Sequence, residues 1–180
     1  MSVFTNSASS SPAQTKQYVA ALLDLLGESD PMEVLRRTPE ALGRTLNQFS
    51  ATEAKRPEAA GKWSAGDVLQ HLADSELVWA YRLRMVLAHD RPHLTGYDQD
   101  LWAQRLRYEE GDPEEALERF GVLRRSNLNL LETASEQDLQ RVGLHAERGE
   151  ETLKHLIGLY AGHDLLHLRQ LERIRGAITS

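Results

Sequence analysis

Apolar residues recur every three to four positions over most of the chain, and polar stretches with proline or glycine separate these runs. This spacing places apolar side chains on one face of a helix. No stretch alternates apolar and polar residues for long enough to predict a regular strand, apart from a short extended piece around residues 142–145. The pattern predicts an all-α protein, for which an antiparallel four-helix bundle is the simplest architecture.

Capping residues and prolines mark where the predicted helices begin. Ser64 precedes Ala-Gly-Asp and fits a capping box, so a long helix is expected to follow it. Asp30 before Pro31 and Thr38 before Pro39 indicate the starts of two shorter helices. The remaining predicted helices cover residues 16–27, begin at Asp112, and run from Gly149 to about Arg175.

The length of the chain and its polar first residues predict one domain with a short tail. A chain of 180 residues corresponds to a single domain and can bury enough surface to form its own core. Residues 1–14 are polar and rich in serine, so we expect a disordered tail before one domain over residues 15–180. The tail lacks the basic and apolar segments of a secretory signal, and we expect a cytoplasmic protein.

Composition and charge exclude several classes of function. The net charge is −6, and the chain contains no cysteine. An acidic chain without a basic patch is not expected to bind nucleic acid or an anionic membrane surface. The absence of cysteine excludes disulfides, thiolate metal sites and a cysteine nucleophile. No apolar run approaches the roughly 18 residues that a membrane-spanning helix needs.

Two histidines in the last predicted helix point to a metal site. His163 and His167 are four residues apart and share a helix face with Leu156, Leu171 and Ile174. Burial of two neighbouring imidazoles is costly unless each ring nitrogen has a partner. A bound metal ion or hydrogen bonds to other core groups would both supply such partners, and the spacing leaves the two alternatives open.

His71 is the candidate third ligand, because it is the other histidine that lies inside a long helix near an apolar face. Three histidine ligands leave a coordination position open, which is typical of catalytic zinc sites. The motif His-Asp-Leu-Leu-His only approximates the zincin motif, since no histidine follows His167. The absence of Glu-x-x-His excludes a ferritin-like di-iron site. The histidines with no predicted ligand role are His89, His93, His145 and His155.

Two long segments together resemble a known family. The segment GKWSAGDVLQHLADSELVWAYRLRMVLAHDRPHLTGYDQDLWA and the later segment GHDLLHLRQLERI are similar to the DinB superfamily. Within it, the chain resembles the YfiT-type branch of metal-dependent hydrolases and bacillithiol transferases, from about Asp30 to Arg175. The resemblance implies a four-helix bundle that holds a divalent metal ion, zinc or nickel, on His71, His163 and His167. It also implies a homodimer.

The resemblance leaves three functions open. The first is a metal-dependent thiol S-transferase that adds a low-molecular-weight thiol, such as bacillithiol, to an electrophile. The second is a metal-dependent hydrolase, and the third is a bundle that binds a metal or small molecule without turnover. In the first two cases the substrate is a small molecule. The chain has no cysteine, so a second substrate would have to supply the thiol.

Carboxylates next to the histidines are candidates for orienting the imidazole rings. Asp74 lies about one turn from His71, and Asp164 follows His163 directly. Each could accept a hydrogen bond from a ligand imidazole, or each could be an ordinary carboxylate on the helix surface.

Four further residues are candidates for the pocket. Ser75 and Arg82 lie on the His71 side of the long helix, where Arg82 could bind a substrate carboxylate or pair with a neighbouring helix. Tyr97 and Trp102 lie in the long connection over residues 90–111. They could form the wall of a pocket or pack within the connection.

Overall fold

The computed structural model describes residues 12–179, and most of these residues are helical. Residues 1–11 of the expected tail lie outside the described residues. The helices are, in chain order, α1 Pro12–Leu26, α2 Pro31–Leu46, α3 Ala51–Ala54, α4 Ala65–Ala88, α5 Gln99–Arg105, a 3₁₀ turn Tyr108–Glu110, α6 Pro113–Leu131, α7 Glu136–Leu139 and α8 Leu153–Thr179.

Four of the long helices form the bundle. α6 packs against α2 and α4, and α8 packs against the same two helices from the other side, while α1 covers α8. The core between them contains one apolar cluster around Leu35, Trp79 and Leu156 and a second around Leu42 and Phe120. The predicted all-α four-helix bundle is confirmed. Among the described residues, no helix is long and apolar enough to cross a membrane.

The start of α1 differs from the sequence prediction. The helix begins at Pro12, four residues before the expected start, so the last three residues of the expected disordered tail are helical. Its end agrees with the prediction, because Gly27 follows the helix with a φ of +56°. Glycine adopts this left-handed conformation without a steric penalty, which allows the chain to leave the helix there.

α2 is one helix and not the two pieces that its prolines indicate. Asp30 caps its start by accepting a hydrogen bond from the Met32 amide. Thr38 is no cap, because its hydroxyl donates to the Val34 carbonyl inside the helix. Pro39 sits in the middle of α2. A proline there has no N–H for the carbonyl four residues earlier, which belongs to Leu35.

α4 begins as its sequence predicts. Ser64 accepts a hydrogen bond from the Asp67 amide, and the Asp67 carboxylate accepts one from the Ser64 amide at 2.8 Å. This reciprocal capping box satisfies two amides that have no partner within the helix. The capping box holds the first turn of the helix that carries His71.

A three-stranded sheet covers one end of the bundle. Strand β1 is His93–Leu94, β2 is Val142–His145 and β3 is Gly149–Thr152. β2 pairs with β1 in parallel and with β3 antiparallel. The predicted extended piece over residues 142–145 is confirmed as β2. β1 has only two residues and β3, Gly-Glu-Glu-Thr, has no apolar residue, so neither shows alternation in the sequence.

Candidate metal centre

Three histidines from two helices meet in the bundle core. The Nε2 atom of His163 lies 3.1 Å from Nε2 of His71 and 3.1 Å from Nε2 of His167. The three candidate ligand atoms all lie within 4.8 Å of one another. His163 and His167 are one turn apart on α8, whereas His71 comes from α4. The structure thus brings together the three histidines that the sequence analysis singles out as ligands.

Burial keeps these three imidazoles neutral. It lowers the pKa of His71 and His163 well below the ordinary value for histidine, and the neighbouring His167 lowers both further. Burial also lowers the pKa of His167 to about 4, against the opposing effect of a hydrogen bond that His167 donates to Gln170. A neutral imidazole has a free lone pair on one ring nitrogen, and metal ligation requires this lone pair.

Gln170 determines which nitrogen of His167 carries the proton. The Nδ1 atom of His167 lies 2.8 Å from Oε1 of Gln170, so Nδ1–H donates to the amide oxygen. The lone pair is then on Nε2, which faces the other two histidines. A partner of this kind fixes the tautomer and the orientation of a metal-binding imidazole.

The donor set fits a divalent ion of the zinc type. Tetrahedral zinc with Zn–N bonds of about 2.0–2.1 Å spaces its ligand atoms about 3.3 Å apart, close to the two separations of 3.1 Å from Nε2 of His163. The Nδ1 atom of His71 is buried without a hydrogen-bond partner among the described residues. A neutral ring carries one proton, so this proton would be on Nδ1 if Nε2 bound a metal ion. His71, His163 and His167 would hold that ion.

A pocket opens beside the histidines. It is bordered by His71 and His163 on one side and by Arg82 and Tyr160 further along. A second pocket lies on the side of His167, and Gln99 of α5 borders both. The three histidine nitrogens therefore lie between two pockets.

Ser75 and Tyr97 border the pocket beside His71 and His163. The Ser75 hydroxyl lies 3.4 Å from Nε2 of His71 and 2.6 Å from the Tyr97 hydroxyl. This contact attaches the connection after β1 to α4. Trp102 lies behind Tyr97, with the ring centroids 4.5 Å apart. Trp63 contacts the His71 ring with a centroid separation of 5.0 Å.

The structure gives Asp74 and Asp164 partners other than the imidazoles. Asp74 accepts a hydrogen bond of 2.7 Å from the Tyr108 hydroxyl. Asp164 is 1% exposed and pairs with Arg124 of α6, with a shortest distance of 2.6 Å. Both alternatives from the sequence fail for Asp164, because it orients no imidazole and is no surface carboxylate.

Arg124 is the centre of a buried charged network. Its guanidinium binds Asp164 and Glu76 and donates to the Leu35 carbonyl at 3.0 Å. Asn127 donates to the Glu76 carboxylate at 2.8 Å. Both carboxylates and the arginine are 1% exposed, and with the Leu35 carbonyl of α2 the network joins four helices inside the core.

Sequence reasoning missed Gln170, Arg124 and Tyr160. Gln170 has a local signal, since it follows His167 at the i+3 spacing that brings side chains together on a helix. Tyr160 has the same local signal, because it precedes His163 by three residues on the same helix face. Arg124 has none, because an arginine inside a helix is ordinarily a surface residue. His145, by contrast, is buried outside the centre, with Nδ1 accepting a hydrogen bond from the Glu147 amide.

Known proteins share this sequence pattern. The family model of the DinB superfamily matches residues 34–171, which include all three histidines. The chain belongs to the DinB superfamily. The expected family is confirmed by this match, which covers most of the chain.

The chain is also similar to proteins that are named as metal-dependent hydrolases. "Putative metal-dependent hydrolase YfiT" of Bacillus subtilis is 27% identical over 149 residues, or 81% of this chain and 84% of the relative. A protein of Oceanobacillus iheyensis with the same functional name is 28% identical over 134 residues, or 74% of this chain and 77% of the relative.

A solved structure supports the fold. The structure of YfiT from Bacillus subtilis is described as an unusual four-helix bundle, and it superposes with a TM-score of 0.73. The alignment covers 96% of this chain and 94% of that chain at 24% identity. At this identity the likeness supports the bundle architecture and carries no conclusion about substrate.

Proposed function

We propose that this DinB-superfamily protein is a divalent-metal-dependent enzyme whose metal ion, zinc or nickel, is held by His71, His163 and His167. The observation that supports this most directly is the convergence of three neutral Nε2 atoms beside a pocket. A divalent ion with an open position supplies a Lewis acid that lowers the pKa of a bound water or thiol.

We propose thiol S-transfer as the reaction. None of the described residues that border the pocket beside His71 and His163 is a carboxylate. The nearby Asp164 and Glu76 bind Arg124, and Asp74 accepts from Tyr108. Activation of water for hydrolysis usually needs a general base close by. A thiol loses its one proton more easily than water does, so it reacts without such a base.

The chain contributes no thiol, so a low-molecular-weight thiol is the second substrate. Its S–H bond breaks, and the proton passes to solvent. The sulfur then forms a bond to an electrophilic carbon of the other substrate, and the leaving group departs with the electron pair of its broken bond. Ser75 and Tyr97 lie beside His71 and are placed to orient the sulfur with their hydroxyl groups.

Hydrolysis is the second candidate, and one residue favours it. Asp100 borders the pocket on the His167 side, and partial burial together with Asp98 raises the pKa of its carboxyl group. A carboxylate with a raised pKa is a better general base. The hydrolase name of the relatives agrees with this candidate.

Metal content tests the centre directly. Elemental analysis of the purified protein should find one divalent ion per chain, and a His163→Ala/His167→Ala variant should lose it. His155→Ala is the matched control, because His155 lies on α8 away from the centre and should leave the metal content unchanged. A metal-free wild-type protein after reconstitution would contradict the proposal.

Turnover assays then separate the reactions. With 1-chloro-2,4-dinitrobenzene, S-transfer requires an added thiol such as 2-mercaptoethanol, and Asp100→Asn should leave the rate unchanged. With 4-nitrophenyl acetate, hydrolysis should proceed in water alone and fall in Asp100→Asn. Metal binding without a rate above that of the metal-free protein in either assay would support a bundle that binds without turnover.

A further inference from the structure

Arg82 is a buried arginine without a carboxylate partner. It is 5% exposed, and no carboxylate of the described residues forms an ion pair with it. One guanidinium nitrogen donates to the Tyr160 hydroxyl at 3.3 Å and another to the Thr95 carbonyl at 2.5 Å. Its Nε atom is buried with no hydrogen-bond partner among residues 12–179. A buried charge in this state is costly unless something compensates for it.

Two other arginines with little exposure, Arg124 and Arg148, are compensated by carboxylates. Arg124 binds two carboxylates, and Arg148 binds Glu151 through two contacts of 2.5 and 2.9 Å. Arg82 therefore differs from them because none of the described carboxylates pairs with its buried charge. Arg82 and Arg148 both border the pocket, whereas Arg124 does not, so Arg82 is the pocket arginine whose charge no carboxylate of the described residues pairs with.

The groups around Arg82 suit a carboxylate. The hydroxyl of Tyr160 accepts from Arg82, so its own proton is free to donate to a bound anion. Burial raises the pKa of Tyr160, which keeps this hydroxyl protonated. The planar guanidinium presents adjacent N–H groups at the spacing of two carboxylate oxygens. The described residues that border the pocket include no acidic side chain that would repel an anion.

We infer that this pocket binds its substrate through a carboxylate group, which Arg82 and Tyr160 hold at the end of the pocket away from His71 and His163. The second half of this inference, that the reacting end lies at the histidines, rests on the proposed function. Arg82 follows His71 by three helical turns of α4, which separates their backbones by about 16 Å. The side chains of Arg82 and His71 shorten this separation. The ligand therefore has its carboxylate several bonds from its reacting atom.

This inference is tested with the dissociation constants of a series of ω-mercaptocarboxylates, from 3-mercaptopropionate to 6-mercaptohexanoate. Each is titrated calorimetrically into the metal-reconstituted protein, with the mercaptoalcohol of the same length as the uncharged control. At one or more lengths the acid should bind about 10- to 100-fold more tightly than the alcohol, as expected for hydrogen bonds to a charged group. Equal dissociation constants at every length would overturn the inference.

Substitutions test which residues cause the preference for the acid over the alcohol. Arg82→Gln should abolish it and leave the affinity for the alcohol unchanged, whereas Arg84→Gln, an exposed arginine on the same helix, should retain it. Tyr160→Phe keeps the ring that stacks on Trp79 and should reduce the preference about threefold to tenfold. A preference for the acid that is undiminished in both Arg82→Gln and Tyr160→Phe would assign the anion to another site and overturn the inference.

A thiol-free probe separates this inference from the proposed function. Hexanoate is titrated into the His163→Ala/His167→Ala variant and into the same variant with Arg82→Gln added. Binding that the added substitution removes supports the carboxylate site whether or not the wild-type protein holds a metal ion. No hexanoate binding to the double-histidine variant, together with equal binding of acid and alcohol to the wild type, would overturn the carboxylate site alone.

Discussion

Arg124 of α6 donates a hydrogen bond of 3.0 Å to the Leu35 carbonyl of α2. This carbonyl is available because Pro39, four residues later, has no N–H to donate to it. The proline that looks like a helix start in the sequence thus creates an acceptor inside a continuous helix. Arg124 donates a hydrogen bond to this acceptor and also binds the carboxylates of Glu76 and Asp164.

Removal of Arg124 should destabilise the fold strongly. In Arg124→Leu, the Asp164 carboxylate and the Leu35 carbonyl lose their donor and Glu76 keeps only Asn127, so two buried carboxylates have no cation. We therefore expect a loss of about 3–5 kcal/mol in the free energy of unfolding. Urea denaturation measures it. The control is Arg36→Ala, which breaks a half-exposed pair with Glu132 and should cost at most about 1 kcal/mol. A similar loss of unfolding free energy in the two variants would contradict a stabilising role for the buried network around Arg124.

Gln170→Ala should weaken metal binding without removing any ligand. The variant loses the acceptor for Nδ1–H of His167, and loss of such a partner lowers metal affinity about 10- to 100-fold. Competition with a chelator measures the dissociation constant. Gln137→Ala, at an exposed position in α7, serves as the control. An unchanged dissociation constant in Gln170→Ala would show that the Gln170 hydrogen bond does not orient the ring.

Gly162→Ala should destabilise the protein although alanine favours helices. A methyl group at this position of α8 would collide with the backbone carbonyl of Leu22 in α1, which has no flexible end to move away. We expect a loss of about 1–3 kcal/mol in the free energy of unfolding. Gly121→Ala on α6 meets no atom and should gain up to about 1 kcal/mol. Equal stabilisation by the two substitutions would rule out close packing of α1 on α8 at Gly162.

His145 should make the folded state less stable in acid. Burial lowers its pKa to about 3, helped by the positive charges of Arg148 and Arg82, whereas the unfolded chain titrates near 6.5. Between these values the unfolded state binds the extra proton, so stability falls as pH decreases from 6.5 towards 3. The contribution reaches at most about 1.4 kcal/mol per pH unit.

The test compares unfolding free energies over this pH range in the wild type and His145→Asn. Asparagine keeps an acceptor for the Glu147 amide and does not titrate, so the variant should show a shallower decline. His89→Asn, at an exposed position, should follow the wild type. If His145→Asn and the wild type decline in parallel, the pKa of His145 is not depressed in the folded state.

The sequence determined the features that depend on neighbouring residues. The capping box at Ser64 and the stop at Gly27 follow from local hydrogen bonding and backbone sterics, and the structure confirms both. The shared face of His163 and His167 follows from helix geometry alone. The family follows from the combination of these local motifs, which is why it was recognisable from the sequence.

Tertiary structure decided every relation between distant segments. His71 is 92 residues from His163, and only the packing of α4 on α8 brings their Nε2 atoms within 3.1 Å. Asp164 follows His163 directly, yet it binds Arg124, because a buried carboxylate is stabilised by the guanidinium that faces it across the core. Local spacing determines which face a side chain occupies, and the packing of helices determines what it meets there.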